Sequence, residues 1–170
     1  LVLPLDKQTM FFSGTIQLLK NSEGKDSLLA LLYPTERKIV LYNLKEKMVS
    51  NTIFYKEEGP NGVGNEISTF YWKNNEEIYL LSYWNNVIYT INTDGIVKNK
   101  TGLNENFSDD FDMSGSSFSP IIKSGELLFC AATMNYGPIL EEKEKIKPLF
   151  RFNLKTNTND ILGKYPDIYF

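Results

Sequence analysis

Apolar residues in this chain gather into short runs, cut by polar turns at strand-like rather than helix-like intervals. Leu28-Leu29-Ala30-Leu31-Leu32, Ile78-Tyr79-Leu80-Leu81-Ser82 and Leu127-Leu128-Phe129-Cys130-Ala131 are nearly continuous apolar stretches of strand length. Each is followed by a second run that carries an aromatic residue: Tyr42 within 39–44, Tyr89 within 87–91 and Phe150 within 149–154. Period-two alternation puts Val87, Tyr89 and Ile91 on one face, and Phe150, Phe152 and Leu154 on another. Between the runs lie Asn85-Asn86, Thr93-Asp94-Gly95 and Ser124-Gly125-Glu126, residue types that tolerate tight turns.

Completing this grammar predicts an all-β chain of about three four-stranded antiparallel meanders, over residues 15–58, 67–103 and 116–165, in a single domain of 170 residues. Their first apolar runs recur at roughly 50-residue intervals, the spacing of β-propeller blades. The aromatic anchors are 47 residues apart from Tyr42 to Tyr89 and 61 from Tyr89 to Phe150. A Lys/Glu-rich insertion over 135–147 accounts for the longer step. Residues 1–14 read as an extended arm or opening strand. The best helical stretch, 139–147, is ended by Pro148. A glycine-proline crossover over 57–66 joins the first two units, and its Asn61-Gly62 pair predicts a positive φ at Gly62.

Composition narrows the chemistry. The chain is 42% hydrophobic and 14% aromatic, suited to a pleated core. Its net charge of −3 and lack of a basic run disfavour nucleic acid and anionic membrane as partners. There is no histidine, which removes imidazole bases, Ser-His-Asp and Cys-His constellations and most zinc sites. Cys130, the one cysteine, lies in an apolar run and reads as a buried, inert thiol. No apolar stretch has the length of a transmembrane helix. The chain begins Leu1-Val2-Leu3-Pro4 without methionine, which reads as a processed or trimmed product.

The run Glu57-Glu58-Gly59-Pro60-Asn61-Gly62-Val63-Gly64 has the glycines of a phosphate cradle but neither the Lys-Ser/Thr nor the helix start that such a cradle needs. A crossover between sheets is its simplest reading, with Glu58 and Asn61 as candidate ligand contacts. Asp109, Asp110 and Asp112, near Asn104, Glu105 and Asn106, supply hard oxygen ligands that would suit Ca²⁺, although the spacing is not that of an EF-hand and a solvated acidic loop is the plainer reading. Among the aromatics Phe70, Tyr71, Trp72, Tyr83, Trp84 and Tyr136, core filling is the ordinary role. Trp84, beside the Asn85-Asn86 turn, is the candidate for ligand contact.

The Glu58–Gly64 loop, the opening Leu3-Pro4-Leu5-Asp6 and the strand pair around 39–44 resemble an uncharacterised Bacteroidota family of exported, lipid-anchored six-bladed propellers, NHL-like and TolB-like in build. The resemblance covers most of the chain and implies the N-terminal half of a six-bladed ring, at the periplasm or cell surface. It carries no catalytic residues and no cofactor. Three blades do not close a ring, so either further chain beyond Phe170 or self-association is expected. The leading functional expectation is a non-catalytic binding module of the cell envelope for a glycan, peptide or protein. The alternatives are a calcium-dependent propeller enzyme of the lactonase or polysaccharide-lyase type, drawing on Glu58, Asn61 and Asp112, and a structural scaffold.

Overall fold

A computed structural model describes residues 15–20, 26–65, 67–82, 87–102, 111–114, 121–134, 149–156 and 158–162. Among them every regular element is a strand, and none is a helix. The arm over 1–14, the helical stretch over 139–147, the insertion over 135–147, Trp84, Asp109 and Asp110 lie outside the described residues.

The first sheet is a meander of β1 (Thr15–Lys20), β2 (Asp26–Tyr33), β3 (Lys38–Asn43) and β4 (Met48–Phe54), in that spatial order. The second repeats it with β5 (Ile67–Asn74), β6 (Glu77–Ser82), β7 (Val87–Ile91) and β8 (Val97–Gly102). The third runs β10 (Ile122–Ser124), β11 (Leu127–Met134), β12 (Leu149–Asn153) and β13 (Thr158–Leu162). A further strand, β9 (Phe111–Ser114), pairs with the end of β11. All these pairings are antiparallel.

Strand β9 corrects one expectation. The segment around Asp112 reads from the sequence as loop, yet Asp112 sits in a ladder opposite Thr133. The cause is the length of β11. On the edge away from β12, pairing with β10 covers only Leu127–Phe129, and the backbone of Ala131–Met134 on that same edge meets β9.

Each sheet closes its third strand with the same device. Asn43 accepts backbone N–H bonds from Lys45 and Glu46, Asn92 from Asp94 and Ile96, and Asn153 from Lys155 and Thr156. The N–H one residue on then donates across to the preceding hairpin: Leu44 to Ser27 at 3.0 Å, Thr93 to Asn75 at 2.9 Å and Leu154 to Glu126 at 2.9 Å. Aligned on these asparagines, Tyr42 corresponds to Ile91 and Phe152, while Tyr89 corresponds to Val40 and Phe150. The aromatic anchors of the sequence are therefore out of step by two residues in the first unit. A shift of two leaves a side chain on the same face of its sheet, so the pattern alone does not reveal it.

The same alignment gives each sheet a front and a back. The front of the first sheet, Ala30, Leu32, Ile39 and Leu41, packs on the back of the second, Ile78, Leu80, Tyr89 and Ile91, in one buried cluster joined by Tyr55, just past β4, and by Val63 of the crossover. The front of the second, Tyr79, Leu81 and Ile88 with Tyr71, packs on the back of the third, Leu128, Cys130, Phe150 and Phe152. The back of the first sheet, Leu31, Tyr33, Val40 and Tyr42 with Leu29 and Val49, is buried as a separate cluster. The three sheets thus stack in one sense, front to back.

The crossover is tightly folded. Val63 N–H donates to the Lys56 carbonyl at 2.9 Å and Gly64 N–H to that of Glu57 at 3.0 Å. Positive φ falls at Gly59 and Gly64, not at Gly62. Gly62 is needed for another reason: a Cβ there would stand 2.6 Å from the Glu57 carbonyl oxygen and 2.7 Å from the Glu58 carbonyl carbon.

Candidate functional site

The first two sheets meet along β1 and β5. Thr15 Oγ1 lies 3.1 Å from Thr69 Oγ1, and Gln17 exchanges two hydrogen bonds with the Trp72 backbone. Trp72, on β5, the edge strand of the second sheet, sits opposite Ile78, and backbone groups there can bond outward as well as to β6. Beyond this contact the end of β1 and the end of β5 with its turn stand on either side of an opening.

That opening is a cleft of about 750 Å³. Leu18, Leu19, Leu28, Leu41 and Trp72 give it apolar walls, and Gln17, Lys20, Lys73, Asn75 and Glu76 a polar rim. The turn at its mouth is well ordered by its own hydrogen bonds. Asn74 Oδ1 accepts from the N–H groups of Glu76 and Glu77, and its Nδ2 donates to Glu77 Oε2 at 3.2 Å. Glu77 also takes the Lys73 ammonium and the Tyr79 hydroxyl. The Lys73 hydrogen bond is the main reason that the Glu77 carboxyl titrates below its ordinary range. The fixed turn leaves Lys20 and Glu76 as the solvent-facing charges of the rim, with Gln17 holding the floor.

Chemically the cleft offers shape, apolar area and hydrogen-bonding groups. It holds no nucleophile paired with a base. Elsewhere, burial pushes the Cys130 thiol up to about 12, so it stays a thiol through the neutral range. Tyr55 and Tyr79 are pushed well above the ordinary phenol range, chiefly by burial. For Tyr55 the Arg37 guanidinium offsets part of that effect.

Of the residues picked out by sequence, Glu58 is exposed on the crossover, and Asn61 is only partly exposed. Asn61 Oδ1 accepts a 3.3 Å hydrogen bond from Val97 N–H, tying the loop to the start of β8. Neither lines the cleft. Asp112 lies in β9, on the third sheet. Among the described residues no group of three or more acidic or cysteine side chains is placed to hold a metal ion. Sequence reasoning counted Trp72 with the core aromatics and passed over Gln17. The available signal was a glutamine set between Ile16 and Leu18 in an otherwise apolar strand.

The model of a domain of unknown function, DUF4221, matches residues 1–169. The chain belongs to the DUF4221 family. Comparison with curated proteins finds no match. A crystal structure of a DUF4221 member from Bacteroides vulgatus shares the fold, with a TM-score of 0.81 at 18% identity. The similarity covers 96% of this chain but only 46% of that one, so this DUF4221 chain spans just under half the relative's length. No helix among the described residues of the DUF4221 chain is long and apolar enough to cross a membrane.

Proposed function

We propose that the three sheets are consecutive blades of a β-propeller and that the protein is a non-catalytic binding module of the bacterial cell envelope, exported and lipid-anchored. The front-to-back stacking of three equivalent meanders supports the blade reading. The cleft between the first two sheets carries the functional reading: an apolar trough with a polar rim recognises ligand by shape and hydrogen bonding.

The chemistry of the walls favours a peptide segment. Sugars are recognised on open aromatic faces, whereas Trp72 is buried and the walls facing the second sheet are aliphatic, Leu19, Leu28 and Leu41. An aliphatic side chain would enter beside the half-buried Leu28, and Asn75 and Glu76 would meet its flanking amides. The test is a screen of short peptides by heteronuclear NMR on the labelled protein. Shift changes should cluster at 17–20, 28 and 72–76, and Leu28→Asp should abolish them while the signals of the third sheet stay in place. Ligand shifts that cluster elsewhere, or binding untouched by Leu28→Asp, would reject the cleft.

A further inference from the structure

We infer that the cleft takes an extended segment with an acidic and a basic side chain on either side of its aliphatic residue, the acid toward Lys20 and the base toward Glu76. The inference rests on the peptide reading of the cleft and narrows it to a charge pattern.

The two banks of the cleft carry opposite charge. Lys20, at the end of β1, stands on the bank of the first sheet, where the other lining residues are uncharged. The bank of the second sheet holds Lys73 and Glu76, and Lys73 is already paired with Glu77 beside it. One lysine against two glutamates leaves that bank with one negative charge. Lys20 and Glu76 are both exposed. Among the described residues no ion pair holds either of them or joins one to the other. Opposite charges that face one cleft without meeting are satisfied by a guest that brings the complement of each. A segment of one sign would be attracted at one bank and repelled at the other.

The space between the banks sets what joins the two charges. Leu19, Leu28 and Leu41 offer an aliphatic surface there. At about 750 Å³ the cleft has more room than one side chain fills, and ligand sites commonly span about 300–1,000 Å³. An extended chain directs residues i, i+2 and i+4 to the same side. Acid, aliphatic and base at those positions would meet Lys20, the leucines and Glu76 in turn. Glu76 has two carboxylate oxygens, so it can accept from a main-chain amide and from a cationic side chain together. A free amino acid does not fit the pattern. Its ammonium and carboxylate sit on one carbon and do not reach two banks whose own charges stay apart.

The test titrates the labelled chain with three capped peptides, followed by heteronuclear NMR: acetyl-Asp-Ser-Leu-Ser-Lys-amide and its counterparts with Asp at both ends or Lys at both ends. The caps remove terminal charges. At low salt the mixed peptide should bind about two- to fivefold more tightly than either like-charged one, a comparison that needs no variant. Lys20→Glu should turn the preference to the peptide with two lysines, and Glu76→Lys to the one with two aspartates. The double variant should return it to a mixed peptide, tested in both orders. Salt at about 1 M, where the screening length falls to about 3 Å, should level the three affinities. Equal affinities at low salt, or a preference unmoved by the substitutions, would overturn the inference. Shift changes still clustered at 17–20, 28 and 72–76 would in that case leave the wider peptide reading standing. Failure of all three peptides to bind would also overturn the charge pattern, and the broader peptide screen would then decide the peptide reading by itself.

Discussion

Gln17 and Trp72 are joined as though they were neighbouring strands. Gln17 Nε2 donates to the Trp72 carbonyl at 2.9 Å, and Gln17 Oε1 accepts from the Trp72 N–H at 2.6 Å. A side-chain amide has one donor and one acceptor in the geometry of a peptide group, so it completes a ladder between sheets whose backbones are too far apart to pair. The contact ties the first sheet to the second at the border of the cleft.

Removing that amide leaves two main-chain groups without partners. Gln17→Ala is expected to destabilise by about 1–3 kcal/mol in urea titration. Gln17→Glu should cost more at neutral pH, since a carboxylate cannot donate to the Trp72 carbonyl and repels it. Equal stability of the wild type and Gln17→Glu would show that the pair is incidental.

The glycines separate two causes of intolerance. At Gly59 φ is +89° and nothing lies within 4 Å of a built Cβ, so Gly59→Ala meets only the left-handed penalty, about 1–2 kcal/mol. Gly62 has open φ but no room, and Gly95 has both problems, with φ at +73° and the Phe54 carbonyl inside contact distance. The expected order of destabilisation is Gly95→Ala, then Gly62→Ala, then Gly59→Ala. Melting temperatures of the three variants check it, and a Gly59→Ala variant that melts lowest would reverse the assignment.

Asn43, Asn92 and Asn153 perform one task in three sheets, but in different surroundings. Asn92 is 5% exposed and also donates to Asp94 Oδ2 at 3.2 Å. Asn92→Ala takes the partner from the part-buried N–H groups of Asp94 and Ile96 and leaves a gap at a buried side chain, and should cost about 1–3 kcal/mol. Asn43→Ala and Asn153→Ala, whose turns are open to water, should cost roughly 1 kcal/mol or less. Asn92→Asp would set two carboxylates side by side, so its deficit should shrink as pH falls and one takes a proton. Urea midpoints at neutral and acid pH measure all four.

The parts of the fold that were legible in the sequence are those set by local pattern. The apolar runs at 28–32, 78–82 and 127–131 are the second strands of their sheets, and the Asp94-Gly95 turn sits where the dipeptide placed it, with Asn92 as its organiser. The register between units was not legible, because Tyr42 and Tyr89 share a face type and differ only in which pair of the ladder they occupy. Strand β9 was hidden for a related reason: its partner is chosen by the overhang of β11, a tertiary fact. The cleft was illegible because it is a gap between sheets. Its lining comes from β1, β2, β3, the end of β5 and the β5–β6 turn, and no local motif records how far apart two sheets are held.

Cys130 ties the core to pH. It lies on the back of the third sheet among Tyr79, Leu81, Phe150 and Phe152, and burial raises its thiol to about 12 in the folded state from an ordinary value near 9. A folded chain then binds one more proton than the unfolded chain between these values. The associated stability is complete below about pH 8.5 and is lost as pH rises toward the folded value, with a slope of about 1.4 kcal/mol per pH unit at most. Urea midpoints from pH 8 to 11 should therefore fall more steeply for the wild type than for Cys130→Ala, although buried Tyr55 and Tyr79 contribute a decline common to both. At pH 8, reaction of the thiol with an aromatic disulfide should be slow and should speed up with denaturant in parallel with unfolding. Rapid stoichiometric reaction of the native protein would show that Cys130 is reached through local opening of the third sheet.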